Sequence, residues 1–374
     1  MGHVVIAPDK FKGTLSASEV AGHLAAGLHA TVAGLEAVAI PVADGGDGTV
    51  DAAVAAGFRR VELGVRGPLG KPVTAAFGLL DGMAVIESAQ ACGLGLLRGQ
   101  ELSPLTATTR GVGELVVAAA RMGAKQVAIG LGGTATTDGG AGLVQALGGR
   151  LQDADLLDLP PGGAALAHLD RLDRSRMRDF SAIEFLLASD VNNPLLGPDG
   201  AAAVYAPQKG ASQADVAVLE AGLARWADVT ESAVGHRARD LPGAGAAGGL
   251  GFAAQLFLGA RMRPGIELML EMAGFTQQLD GARLVITGEG SLDEQTLHGK
   301  APAGVAQATA AHDPAVPVIA VAGVRSLSGE QLREAGISAA YALTDIEPDQ
   351  AKCIADPGPI LERLAARIAD DWLR

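Results

Sequence analysis

Short apolar runs and helical patterns alternate at both ends of the chain. Val4 to Ala7 is apolar, DKFKG is polar, and Ser16 then caps a predicted helix reaching about Leu28. A second unit repeats the order: Ala37 to Val42 as strand, ADGGDG as loop, TVDAAVAAG as helix. The last part does the same. ARLVITGEGSLDEQT predicts a strand then a loop, Pro302 to Ala311 a helix, PVIAVAGV a strand, and Ser328 to Ala335 a helix. ISAAYALT and an amphipathic helix from Ile360 close the chain. Such alternation predicts a parallel sheet, with ligands where strand ends turn into helix starts.

The middle differs. RGPLGKPVTAAFGLLDGMAVIES carries Gly and Pro between short β-like runs and predicts a more strand-rich segment. Gly111 to Met122 reads as a helix and VAIGLGG as strand and loop. DLLDLPPGGAAL reads as a surface loop, and EFLLASDV as a buried strand ending in Asp190. The expected fold class is α/β with two domains. Residues 1–66 and 282–374, from both chain ends, build one parallel-sheet domain, and residues 67–281 form an inserted, more strand-rich α/β domain.

The length of 374 residues suits two cores better than one. Aromatic residues are only 3%, so alanine and glycine fill the interior and favour close helix packing and backbone-lined sites. The net charge of −13 excludes non-specific nucleic-acid binding and attraction to an anionic membrane. A small anionic ligand is compatible only where local cations or backbone N–H groups outweigh the global field. Two distant cysteines, Cys92 and Cys353, argue against a disulfide framework and for a reducing compartment. The histidines show no zinc spacing. MGHVVIAPDKFKG has too short an apolar run for a signal peptide, and no run of 18 apolar residues exists. The expected location is cytoplasmic.

The chemistry concentrates in glycine loops. ADGGDGT spans Ala43 to Thr49 and GGTATTDGGAG spans Gly132 to Gly142; both contain D-G-G-x-G-x-V-x-A. Glycine loops between strand and helix expose N–H groups suited to phosphate. A carboxylate there repels phosphate unless a cation such as Mg²⁺ lies between them. Read structurally, the same loops are tight turns in which Asp caps a helix and Gly permits positive φ. Of seven lysines, Lys10, Lys12, Lys209 and Lys300 lie in such loops, where a compact ammonium suits phosphate or a substrate carboxylate. SDVNNPLLG offers Asp190 as base or metal ligand, with Asn192 and Asn193 as further oxygen donors. TGEGSLDEQT offers Glu289 and Asp293. ESAQACGL offers Glu87 and Gln90, as site or cap, and Arg110 is able to hold a carboxylate bidentately. No Walker A, HRD or DFG signature is present. GAGAAG at Gly243 to Gly248 fits the dinucleotide fingerprint literally, but no strand precedes it.

Together, APDKFKGTLSA, ADGGDGT, GGTATTDGGAG, SDVNNPLLG, YAPQKGA and GEGSLDEQT with HGKAP resemble the type I bacterial glycerate kinases, in order and over essentially the whole chain. The resemblance implies ATP- and Mg²⁺-dependent phosphorylation of D-glycerate, with 2-phosphoglycerate the expected product rather than 3-phosphoglycerate. It implies one flavodoxin-like domain and one inserted domain, with the site in the cleft between them. Phosphoryl transfer needs positioning, charge neutralisation and an activated hydroxyl. The expected assignments are Gly132, Gly133, Thr134 and Lys300 for the nucleotide, and Asp138, Glu289 and Asp293 for the metal. Arg110, Asn192 and Lys209 are expected at the substrate. Asp44, Asp47 or Asp190 is the expected base, with Lys10 and Lys12 neutralising charge beside it. The alternatives are a kinase of another small hydroxy acid, a nicotinamide-dependent 2-hydroxy-acid oxidoreductase, and a non-catalytic ligand-binding module.

Overall fold

The computed structural model describes residues 2–97, 102–298 and 300–374. Among these, the strands in chain order are β1 (His3–Pro8), β2 (Ala37–Ala39), β3 (Arg59–Arg66), β4 (Pro72–Leu80), β5 (Met83–Glu87), β6 (Gln126–Gly130), β7 (Arg150–Gln152), β8 (Arg171–Asp173), β9 (Glu184–Ala188), β10 (Arg261–Arg263), β11 (Ala282–Leu292), β12 (Val318–Arg325) and β13 (Ala339–Ala342). Two compact units emerge. The first is Met1–Asp44, Asp51–Gly57 and Pro264–Arg374; the second is Gly45–Val50 and Phe58–Arg263.

The first unit holds a five-stranded sheet in the order β13-β12-β11-β1-β2, with every pair parallel. Both faces are covered, so its strands are nearly continuous apolar runs. Val4 and Ile6 face a core shared with Leu24, Leu28, Leu361 and Leu364, while Val5 and Ala7 face the opposite core with Ile266, Leu270 and Val305. A capping box between Ser16 and Glu19 starts the helix Ala17–Thr31. That helix crosses the helix Pro357–Trp372 so closely that a Cβ on Gly27 would lie 2.2 Å from the Glu362 carbonyl oxygen. The strand order is that of flavodoxin-like sheets: the chain leaves β1 toward one edge and β11 toward the other. The topological switch point therefore lies between β1 and β11, where ligands of such sheets bind.

One expected loop is a strand. GEGSL continues β11, and Glu289 and Ser291 pair with Ala322 and Val324 of β12. The glycine that looked like loop punctuation serves close strand packing: a Cβ on Gly288 would lie 2.5 Å from the Val321 carbonyl oxygen. Gly299, in the LHGKAP stretch, lies outside the described residues.

The second unit holds a six-stranded sheet, β10-β9-β6-β5-β4-β3. From β10 to β5 the strands are parallel, and β4 runs antiparallel to both β5 and β3. Asp81 and Gly82, at φ 46° and 83°, form the tight turn joining β4 to β5, the conformation an Asp-Gly hairpin favours. One core runs through the helices Arg110–Arg121, Gln213–Val234 and Ala246–Leu258. Trp226 is fully buried there and donates its indole N–H to the Gly139 carbonyl (2.9 Å). DLLDLPPGGAAL is not the expected surface loop. Leu159 and Leu166 are buried, and a Cβ on Gly163 would lie 2.1 Å from the Thr137 carbonyl oxygen. The paired glycines let this segment pack backbone to backbone. Among the described residues no helix is long and apolar enough to cross a membrane.

Candidate active site

In the second unit, β6 and β9 end side by side at Gly130 and Ala188. Beyond them opens a cavity of about 160 Å³ lined by Gly132, Gly133, Thr134, Ser189, Tyr205 and Lys209, among others. The two Asp-Gly-Gly motifs meet here. The Gly132 N–H donates to the Gly45 carbonyl (3.2 Å), and the Leu131 N–H donates to Ala188 (3.2 Å). A Cβ on Gly132 would lie 2.5 Å from Gly46 Cα, and one on Gly133 would lie 2.4 Å from Asp47 Oδ1. Gly133 also sits at φ 73°. Only glycine fits at these places, and what remains exposed is backbone with one carboxylate, Asp47, beside it.

Lys209 is 3% exposed. Its ammonium donates to the Thr136 carbonyl (2.6 Å) and the Thr134 hydroxyl (3.4 Å), which brings a positive charge behind the glycine loop. Burial lowers its pKa to about 8, with Cys92 and Asp138 opposing the shift. Lys209 thus joins the residues expected to hold the nucleotide. Tyr205, on the π-helical turn Ala201–Tyr205, donates its hydroxyl to Asn193 (2.8 Å), and Asn193 donates its side-chain amide to the Asp199 carbonyl. Asp190 and Asn192 are exposed on the loop after β9, interleaved with the cavity-lining Ser189 and Val191. GAGAAG contributes too, though not as a dinucleotide fingerprint. Ala246 and Ala247 line the cavity, and Ala247, Gly248 and Gly249 take φ of 53°, 66° and 89°. A larger hollow of about 560 Å³, lined by Arg174, Arg178 and Phe180 among others, draws on none of the expected loops.

Asp138 is not placed to hold a metal. It is 0% exposed, and both oxygens are taken: Thr109 N–H (2.8 Å), Thr109 hydroxyl (3.0 Å), Gly140 N–H (3.1 Å) and Gly142 N–H (3.1 Å). It caps the starts of the helices Arg110–Arg121 and Ala141–Ala146 together. Burial raises its pKa while the four donors pull it back. Glu87 is likewise a buried cap, accepting the Val50 N–H (3.1 Å). Arg110 does not reach the cavity lining as expected of a substrate clamp. It faces Glu114 of its own helix (3.5 Å), and that carboxylate also takes the Arg66 N–H (2.8 Å).

The first unit carries a separate group at the carboxyl ends of β1 and β11. Asp9 follows β1, is 8% exposed, and accepts the Lys10 N–H (2.7 Å); the Lys10 ammonium lies 3.6 Å away. Burial raises Asp9 to about 6; Lys10 opposes this, and Asp44 and Glu289 add to it. Glu289 accepts the Thr296 hydroxyl (2.5 Å) and lies 3.3 Å from the Lys300 ammonium, which is 3.8 Å from Asp293. Burial raises Glu289 as well, against the pull of Thr296 and Lys300. Glu289 and Asp293, expected at the metal, are therefore already neutralised by Lys300, which was expected at the nucleotide. Lys12 is exposed, and its backbone nitrogen packs against Gly290. Among the described residues no three His, Cys, Asp or Glu side chains group to hold a metal. Asp9 escaped the sequence reading, although a carboxylate directly after the apolar run VVIAP was the available signal.

Comparison with known proteins agrees with these loops. Residues 4–373 match the glycerate kinase family. The chain is 44% identical over 373 residues to a glycerate kinase of Bacillus subtilis (strain 168), covering 98% of this chain and 96% of that one. It is 42% identical over 348 residues to a glycerate 2-kinase of Escherichia coli (strain K12), covering 91% and 90%. A crystal structure from Salmonella typhimurium LT2 that carries a glycerate kinase 2 designation superposes with a TM-score of 0.84 at 39% identity, covering all of both chains.

Proposed function

The chain belongs to the glycerate kinase family, and from that premise we propose that it transfers the γ-phosphoryl group of ATP to the 2-hydroxyl of D-glycerate, releasing 2-phosphoglycerate and ADP. The observation that carries the reading is the side-chain-free loop at Gly132 and Gly133, pressed against Gly45 to Asp47 with the Lys209 ammonium buried behind it. Backbone N–H groups and a fixed cation offer what a transferring phosphoryl group needs, which is position and charge neutralisation. The 42%-identical glycerate 2-kinase supports the choice of hydroxyl. Free, buried Cys92 and Cys353 fit a reducing cytoplasm.

Mg²⁺ suits the donor set at the loop. It binds through one or two carboxylates plus phosphate oxygens, and Asp47 is the carboxylate beside Gly133. Bound there, it would neutralise charge between Asp47 and the phosphates. Lys209 holds the loop through Thr134 and Thr136 while facing the same charge.

A coupled assay for ADP, run with and without D-glycerate, tests the activity. ADP release is expected only with glycerate, and release without it sinks the substrate assignment. Phosphorus–proton coupling in the product is expected at the C2 proton; coupling to the C3 protons reassigns the hydroxyl. A change at the nicotinamide absorbance band would revive the oxidoreductase alternative.

A further inference from the structure

Resting on that activity, we propose that Asp9 is a catalytic residue, accepting the proton of the acceptor hydroxyl from a seat between β1 and β11, with Lys10 and Lys300 facing the acceptor's carboxylate. The position comes first. Asp9 stands at the topological switch point of a parallel sheet, and its N–H still pairs with Gly288 of β11 (2.8 Å). The groups around it come from each neighbouring strand end: Lys10 from its own loop, Asp44 after β2, and Glu289 in β11. Lys300 and Asp293 stand behind Glu289.

The second argument is how little quiets the carboxylate. Asp138 is equally withdrawn from water, but four donors satisfy it. Asp9 accepts the Lys10 N–H and has Lys10 at 3.6 Å, while two like charges work against its ionisation. A buried carboxylate beside other acids becomes a better base at neutral pH, and its pKa near 6 lies close to that needed. Glu289 is the poorer base, since a hydroxyl at 2.5 Å and an ammonium at 3.3 Å already occupy it.

The step balances. The hydroxyl proton passes to Asp9 as the hydroxyl oxygen forms a bond to the γ-phosphorus. The bond from that phosphorus to the β–γ bridging oxygen breaks, and its electron pair leaves with ADP. The proton then returns to solvent from Asp9.

The test uses the full-length enzyme with ATP and D-glycerate. Asp9→Asn is expected to lower kcat by about 10²–10⁴-fold while leaving the affinity for ATP alone, measured by calorimetry, unchanged. Asp9→Glu is expected to recover part of the rate and keep an acid limb in the pH profile. Asp44→Asn is expected to keep turnover and move the acid limb of kcat/KM to lower pH, because it removes a charge that raises Asp9. Full turnover in Asp9→Asn overturns the proposal, as does a loss of turnover in Asp44→Asn. Should Asp9→Asn fail to fold, the Asp44→Asn limb decides. A wild-type enzyme whose ADP release ignores glycerate is a different failure, since it removes the activity on which the proposal rests.

Discussion

Asp44–Ala52 and Asp138–Ala146 are written in the same pattern and used in opposite ways. Each places an aspartate two glycines before a helix start. Asp138 is sealed between two helix N-termini and spends its charge on four donors. Asp44 is only half-buried, and its charge helps raise Asp9. The pair teaches that a motif specifies the backbone path, whereas the surroundings decide whether its carboxylate is structural or chemical. The bland capping reading holds for Asp138, and the glycines beside it do the work first assigned to the acid.

The contrast breaks most sharply at Asp138. Asp138→Ala leaves four buried donors unpaired and is expected to lower stability by on the order of 4 kcal/mol, whereas Asp44→Ala is expected to change it by less than about 1 kcal/mol. Chemical denaturation of both variants checks this, and equal losses would erase the distinction. Asp9 sharpens the comparison next. Its folded pKa of about 6 exceeds the ordinary 3.8, so between those values the folded chain keeps a proton that the unfolded chain has released. Stability should therefore fall as pH rises through that window, and Asp9→Asn should recover at most about 3 kcal/mol at pH 7.5. An unchanged or lowered midpoint of Asp9→Asn at that pH contradicts the assignment of its burial. The smallest effect belongs to Lys209, lowered to about 8. Its ammonium is charged below that pH and lost above it, so KM for ATP should climb several-fold between about pH 7.5 and 9. In Lys209→Met the climb should vanish.

Much of the first unit was legible. Apolar runs marked β1 and β12, and Ser16 with Glu19 marked a helix start, because those signals are local. GEGSL misled because its glycines looked like turn residues, and only the closeness of β12 explains them. In the site, Gly132, Gly133, Thr134 and Lys209 were found from the loop pattern and do line one cavity. Arg110, Glu289 and Asp293 were chosen for their chemistry alone, and each has a partner from inside the protein.

Residue order by itself determined the strand–helix rhythm, the glycine loops and the family, since each depends on neighbours along the chain. The tertiary structure alone decided which carboxylates keep their charge for chemistry. That depends on how many donors and like charges the folded backbone brings within a few ångströms, and those come from strands and helices distant in the sequence.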